Sequence, residues 1–171
     1  MFEHVLVPLD GSQLAQTALD YALRMVGETG TITLVNVLTP LEIPAYDFYP
    51  IPINQRIEDY EAVHNRNITR ARDYLKHVAD GIHELSGCHL VTKVVAGDAA
   101  ESIIQLATDA HVDAIVMTTH GRSGISRWIY GSVTQKVLTA HCCPVLVVPP
   151  KETHAAVQAQ NEGAHDPTVP G

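Results

Sequence analysis

The segment of this sequence best suited to bind an anion is a run of glycines and hydroxyl-bearing residues at 118–132, TTHGRSGISRWIYGS. It leads into a helix predicted to begin near Ser132. A glycine lacks the Cβ that keeps a backbone away from phosphate oxygens, and a helix N-terminus carries about half a positive charge. Gly121, Gly131 and Ser132 are therefore candidates for holding a phosphate group.

The same residues also have a purely structural interpretation. Ser132 and Gln135 fit an S-x-x-Q capping box, in which the glycines only shape a loop. The residue after Gly131 is serine and the loop contains no lysine, so the P-loop pattern is absent. The residues alone leave both interpretations open.

A second candidate follows the first predicted strand, in the sequence Pro8-Leu9-Asp10-Gly11-Ser12. A carboxylate stands at the end of the strand, the glycine permits a tight turn, and Ser12 is suited to cap the next helix. An ordinary helix-capping turn would have the same composition.

Apolar runs alternate with helix-period segments along most of the chain, and this alternation positions the two candidates. Thr29-Gly30 ends the first helical pattern, the proline-rich stretch 39–54 is predicted as a loop, and Asp98 to Glu101 has the form of a capping box. Strands are predicted at 3–9, 31–38, 89–95, 113–118 and 144–148. Helices are predicted between them, the second from about 55 to 85 and the last at 131–141.

Strands separated by helices predict an open five-stranded parallel sheet with helices on both faces. We expect the strand order 3-2-1-4-5, in which the winding direction reverses between strands one and four. Ligands bind at such a reversal, beyond the carboxyl ends of the strands. The fold would therefore bring Asp10 and Gly121 together.

From Val5 to Val148 the chain resembles the universal stress proteins, through its VLVPLDGS start, its THGRSG and GSVTQKVL segments and its closing CPVLVVP strand. Nucleotide-binding members carry Gly, two residues, Gly, nine residues, Gly, then Ser or Thr. Here Thr118 replaces the first glycine, while Gly121, Gly131 and Ser132 match with the nine-residue gap intact.

The resemblance implies an adenine-nucleotide alpha-hydrolase-like fold and a bound ATP, with Mg²⁺ or Mn²⁺. It implies that Asp10 contacts the ribose or base and that Val37 presents backbone atoms to adenine. Thr118 would lie close to the nucleotide, where it either crowds the ligand or adds a hydroxyl contact. The full set of implied nucleotide-binding residues is Pro8, Asp10, Val37, Thr118, Gly121, Gly131, Ser132 and Val133.

The function predicted on this basis is a stress-response regulator that binds ATP with little or no hydrolysis. Nothing in the glycine loop identifies a general base, so at most a weak ATPase is expected. The alternative is a dimeric stress-response interaction module that binds no nucleotide. Whether Thr118, in place of the first glycine of the motif, permits nucleotide binding decides between the two functions.

The apolar strand Val145–Val148 predicts a second copy of this chain as a partner. Left exposed, such an edge favours aggregation, and the family pairs through this strand, so we expect a homodimer. A net charge of −8 argues against nucleic-acid binding, and no apolar stretch is long enough for a membrane span. We expect one cytoplasmic domain at 1–150 and a disordered tail at 151–171.

The chain has three cysteines, two of them adjacent at Cys142 and Cys143. They lack the C-x2-C spacing with which two thiolates converge on zinc, so we expect them to pack in the core, in a reducing compartment. No metal site is predicted.

Overall fold

The computed structural model describes residues 1–40, 53–83, 87–118 and 131–149. Gly121 and the predicted tail at 151–171 lie outside these described residues. The elements alternate along the chain as β1 (Phe2–Pro8), α1 (Gln13–Met25), β2 (Val26–Leu38), α2 (Ile53–His83), β3 (His89–Ala96), α3 (Ala99–Asp109), β4 (Ala114–Thr118), α4 (Ser132–Ala140) and β5 (Val145–Val148).

The five strands form one sheet in the order β3-β2-β1-β4-β5, and every neighbouring pair is parallel. This confirms the predicted architecture. In register, Leu6 of β1 pairs with Thr33 of β2 on one side and Ile115 of β4 on the other. The carboxyl ends of β1 and β4 therefore lie side by side at one edge of the sheet.

Alternating side chains of the strands build one apolar layer on each face of the sheet. Val5 and Val7 point into the layer under α1 and α2, whereas Leu6 points into the layer under α3 and α4. Burial on both faces explains why the central strands read as continuous apolar runs. The helices contribute Ala18, Ala22, Leu75 and Val78 on the first face, and Ala100, Ile103, Ala107 and Val137 on the second.

One predicted boundary is wrong. β2 begins at Val26, so Thr29 and Gly30 lie inside the strand and not in a turn before it. A Cβ at Gly30 would lie 2.4 Å from Val26 Cγ1 and 3.1 Å from the carbonyl oxygen of Glu3, so close packing against β1 requires the glycine. The register shifts here, because Phe2 pairs with Val26 while His4 pairs with Thr31.

The other predicted bounds agree within a few residues, and α2 runs through Gly81 without interruption. A Cβ at Gly81 would meet no atom within 4 Å, so packing does not require the glycine there. No helix in the described ranges combines the length and apolar character needed to cross a membrane.

At the amino edge of the sheet, the carboxylate of Asp113 joins the first residues of β1 to the start of β4. Its Oδ2 accepts hydrogen bonds from the backbone N–H groups of His4 at 2.8 Å and Glu3 at 2.7 Å, and its own N–H donates to the His4 carbonyl at 2.8 Å. The His4 and Glu3 N–H groups lower the pKa of Asp113, and the positive charge of the chain terminus acts in the same direction, against a smaller effect of burial.

We expect Asp113→Asn to destabilise the fold in a pH-dependent way. Because the pKa of Asp113 is lower in the folded protein, its carboxylate stabilises the fold above the unfolded pKa of about 3.9, and this contribution is lost as the pH falls through the folded pKa. Urea unfolding should therefore find the variant less stable than wild type at pH 7, with the difference shrinking below about pH 4.

Asp73→Asn, at an exposed position on α2, is the matched control and should follow the wild-type curve. A stability difference between Asp113→Asn and wild type that stays constant from pH 7 to pH 3 would contradict the assignment.

Candidate functional site

A cavity of about 150 Å³ opens at the carboxyl edge of the sheet, where β1, β2 and β4 end beside the first turns of α3 and α4. Most of its wall is apolar, with a few polar groups at the rim, as in small-molecule sites generally. The predicted residues Pro8, Asp10, Val37, Thr118 and Val133 line it, together with Leu9, Ala15, Val35, Ala99, Ile103, Met117 and Thr134.

The backbone at the end of β1 is anchored to β2 through both polar groups of Leu9. The N–H of Leu9 donates to the carbonyl of Val35 at 2.8 Å, and the Nδ2 of Asn36 donates to the carbonyl of Leu9 at 2.7 Å. Asn36 is only 7% exposed, so no water replaces this bond easily. The residue before Asp10 is therefore held in place.

The turn after Leu9 orients Asp10. Gly11 adopts φ 88°, in the left-handed region that glycine enters without strain. The Oδ1 of Asp10 accepts hydrogen bonds from the backbone N–H of Ser12 at 2.9 Å and from its hydroxyl at 2.6 Å. The Ser12 hydroxyl oxygen accepts the N–H of Ala15 at 3.1 Å, so the predicted cap of α1 is confirmed. One turn thus caps a helix and holds a carboxylate at the cavity rim.

Tyr74 of α2 packs behind this turn. Within the described part of the chain its buried hydroxyl has no hydrogen-bond partner. Burial raises the pKa of Tyr74, as does the negative charge of Asp10, while the nearby Gln16 side chain and Gly11 backbone act in the opposite direction. The hydroxyl is therefore protonated at neutral pH.

The backbone N–H and C=O of Val37 lie beyond the point where β1 stops pairing with β2. The carbonyl of Val35 faces β1, because it accepts from Leu9, and the carbonyl of Leu38 faces β3, because it accepts from Gly97 at 3.0 Å. Backbone groups alternate in direction along a strand, so the N–H and C=O of Val37 both point to the β1 side. The register pairs β1 with β2 only as far as Pro8 and Val35, two residues short of Val37.

Thr118 ends β4 and is tied to the start of α4. Its carbonyl accepts the hydroxyl of Thr134 at 3.1 Å, and only 8% of Thr118 is exposed. The two ends of the glycine-rich segment, Thr118 and Gly131, are therefore held close to each other by the first turn of α4.

The start of α4 differs from the capping-box interpretation. The N-cap is Gly131, without a side-chain cap, and its carbonyl accepts the N–H of Gln135 at 2.9 Å. The S-x-x-Q capping box is therefore wrong. Gly131 has φ −57°, which any L-residue can adopt, so positive φ does not explain this glycine.

The first turn of α4 opens onto the cavity. Backbone N–H groups of a first helical turn have no partner within the helix, and here they belong to Ser132, Val133 and Thr134. Val133 and Thr134 line the cavity, and the exposed Ser132 directly precedes them. This end of the cavity therefore suits a negatively charged group.

Several contributions to the site were not predicted: the Asn36 bond to Leu9, Thr134, the α3 residues Ala99 and Ile103, and the apolar wall residues Ala15, Val35 and Met117. Asn36 carried a signal, because it is a polar residue inside the apolar run TITLVNVL, and buried polar groups need partners. No feature of the sequence singled out Thr134. α3 itself begins as predicted, with Asp98 accepting the N–H groups of Ala100 and Glu101 at 3.0 and 3.1 Å.

An open parallel sheet with an apolar cavity at its reversal point and a helix N-terminus beside it defines a small-ligand-binding domain of the doubly wound α/β class. The sequence model of the universal stress protein family matches residues 1–149. The chain is 27% identical to universal stress protein MJ0577 of Methanocaldococcus jannaschii over 161 residues, which cover 90% of this chain and 98% of that protein. The chain belongs to the universal stress protein family.

Solved structures agree with this assignment. The MJ0577 structure superposes with a TM-score of 0.74 at 25% identity, covering 90% of this chain and 99% of that one. A universal stress protein in complex with cAMP has a TM-score of 0.60 at 19% identity, covering 86% and 97%. An Arabidopsis thaliana family protein with AMP bound has a TM-score of 0.59 at 18% identity, covering 86% and 92%. The shared fold is the adenine-nucleotide alpha-hydrolase-like fold.

We expect Asn36→Leu to destabilise the protein by about 1–3 kcal/mol, because it leaves the buried Leu9 carbonyl without its donor while keeping the side-chain volume similar. Urea unfolding at pH 7 measures the change. Asn65→Leu, at an exposed position on α2, is the matched control and should stay within about 0.5 kcal/mol of wild type. Equal stabilities of the two variants would show that the Asn36 bond does not hold the end of β1.

Proposed function

We propose that this chain is a stress-response regulatory protein that binds ATP, or a related adenine nucleotide, at the carboxyl edge of β1 and β4, with little or no hydrolysis. The observation that carries the proposal is the single cavity shared by Asp10, Val37, Thr118 and the first turn of α4. The same fold accommodates cAMP and AMP in other proteins.

The backbone of Val37 supports adenine as the base. Adenine carries an N–H donor at N6 beside a ring-nitrogen acceptor, which complements the C=O and N–H of one strand residue. Guanine carries the acceptor O6 at the position of the adenine N6 donor, so in the same orientation the Val37 carbonyl would face an acceptor. Apolar side chains of Val35, Ile103 and Met117 would contact the faces of the ring. The site should therefore prefer adenine to guanine.

The opposite end of the cavity suits the phosphates. The N–H groups of Ser132 and Val133 offer hydrogen bonds to phosphate oxygens, with Gly131 allowing close approach and Gly121 completing the motif outside the described residues. Pro8 and Asp10 flank the ribose position, where a carboxylate accepts hydroxyl hydrogen bonds. Mg²⁺ or Mn²⁺ would bind with the phosphates.

The geometry of Asp10 favours binding over hydrolysis. Its Oδ1 already accepts two hydrogen bonds from Ser12, which fixes the carboxylate in the turn. A general base must reach the proton that it removes. We therefore assign Asp10 to ribose binding, and an ATPase rate, where measured, should be very low.

We expect Gly131→Val to weaken ATP binding by more than a hundredfold while the fold persists. Valine adopts the observed φ without strain, but its branched Cβ would occupy the space of the phosphate oxygens. Losing two or three N–H bonds to a charged phosphate, at about 1.5–3 kcal/mol each, accounts for that loss. Calorimetric titration of ATP with Mg²⁺ and with Mn²⁺ measures the affinity, and circular dichroism checks folding.

Gly81→Val makes the same chemical change far from the cavity and should bind ATP like wild type, because a Cβ there meets no atom within 4 Å. Thr118 lines the cavity, so Thr118→Gly should strengthen ATP binding if the threonine crowds the ligand, and weaken it if its hydroxyl contacts the ligand. Wild-type protein that takes up no ATP with either metal favours the alternative, a dimeric interaction module without a nucleotide.

We further propose a homodimer formed through β5. This strand is an edge of the sheet, and Leu146 on it is 36% exposed. Light scattering at micromolar concentration should give twice the chain mass for wild type and the chain mass for Leu146→Lys. Val91→Lys, on the opposite edge strand β3, is the control and should stay dimeric. A monomeric wild type would contradict the proposal.

A further inference from the structure

Two thiols lie side by side outside the cavity. The Sγ atoms of Cys142 and Cys143 are 3.9 Å apart, and both cysteines are free and only partly buried. Neither lines the cavity. The third cysteine, Cys88, is buried in the opposite apolar layer.

The local backbone explains why adjacent side chains share one side. Successive residues of a strand point to opposite faces. Cys142 and Cys143 instead form a bend between α4 and β5, which the chain enters through His141 at φ 54°. Both side chains pack against the apolar layer under α3 and α4, and the carbonyl of Pro144 accepts the N–H of Ile115 at 2.9 Å. The two sulfurs are therefore presented together by the fold.

The sulfur separation selects a coordination geometry. With bonds of about 2.3 Å from each sulfur, a linear centre needs sulfurs about 4.6 Å apart, a tetrahedral angle needs about 3.8 Å, and the narrower angle of a pyramidal trivalent centre needs about 3.5 Å. The observed 3.9 Å is closer to the separation of a bent centre than to that of a linear one. Paired thiols select soft, thiophilic centres over magnesium or calcium.

The side chains around the two thiols narrow the class of ligand further. Across the described ranges, no group of three or more His, Cys, Asp or Glu side chains is arranged to hold a metal ion. Structural zinc takes four protein ligands, so two thiols do not complete its shell. A monosubstituted trivalent arsenical forms two bonds to sulfur at a bent angle and keeps its third bond to carbon, so two thiols complete it.

We propose that Cys142 and Cys143 form a dithiol site that captures trivalent arsenicals through both sulfurs. With an organoarsine oxide, two As–S bonds form, the As–O bond is lost, and both thiol protons leave with the oxygen as one water molecule. Arsenic and sulfur keep their oxidation states, so no oxidant or reductant is needed. The second bond forms quickly because the second thiol is already adjacent.

The electrostatics distinguish this capture from ordinary thiol reactivity. Burial raises the pKa of Cys143 to about 11, helped by the neighbouring Cys142 and opposed by the Ile115 backbone. The Cys143 thiolate is therefore scarce at neutral pH, and reagents that need this thiolate should react slowly at Cys143. A bidentate reagent gains from the paired geometry.

Intact-mass spectrometry after treatment with phenylarsine oxide tests the site. We expect wild type to carry one phenylarsenic group in place of two hydrogens, stable to excess glutathione and removed by dithiothreitol. A disulfide-exchange thiol count in denaturant should fall from three to one. Cys88→Ser should keep the glutathione-resistant adduct, whereas Cys142→Ser and Cys143→Ser should lose it.

Circular dichroism of each variant checks that it folds. Cys143→Ala, an apolar replacement, should also lose the glutathione-resistant adduct, which would show that the loss in Cys143→Ser comes from the missing thiol and not from misfolding. A wild-type adduct that glutathione strips would overturn the proposal. So would retention of the resistant adduct in Cys142→Ser, or its loss in Cys88→Ser. The outcome does not depend on nucleotide binding, because neither cysteine lines the cavity.

Discussion

The constraint on which this structure depends is that β1 stops pairing before its neighbour β2 does. β1 is the central strand, and its last backbone contact with β2 is the Leu9 N–H bond to Val35. Beyond it the chain turns through Gly11, so the backbone of Val37 loses its partner on that side and a cavity remains. The Asn36 amide stabilises this early end by satisfying the Leu9 carbonyl, which a longer β1 would have paired with Val37.

A carboxylate at each edge of the sheet has a different role. At the amino edge, Asp113 closes the junction of β1 and β4 with three backbone hydrogen bonds. At the carboxyl edge, the Oδ1 of Asp10 accepts two hydrogen bonds from Ser12 within its own turn. A carboxylate that joins two strands stabilises the fold, whereas one that serves a turn beside a cavity remains placed at the rim for a ligand.

α4 links the candidate nucleotide site to the proposed dithiol site. Its first turn faces the cavity and is tied to β4 through Thr134 and Thr118. Its last turn leads through the left-handed residue His141 into the bend that carries both thiols. The nine-residue helix α4 thus lies between two candidate sites of different chemistry. Its N-terminus favours anions, whereas a partly buried pair of thiols favours soft, weakly charged centres.

The residues alone determined the order and type of the described elements and the helix caps at Ser12 and Asp98, because periodicity and local capping act over short stretches of chain. The resemblance to a known family added Asp10 and Thr118 as nucleotide-binding residues, and the predicted strand order placed their loops at one edge of the sheet. Only the tertiary structure decided that Gly30 lies inside a strand, that Gly131 and not Ser132 caps α4, that Asn36 and Thr134 build the site, and that two adjacent sulfurs meet. Each of these depends on the close approach of segments whose mutual distance, and hence packing and hydrogen-bond geometry, is set only when the sheet and helices assemble.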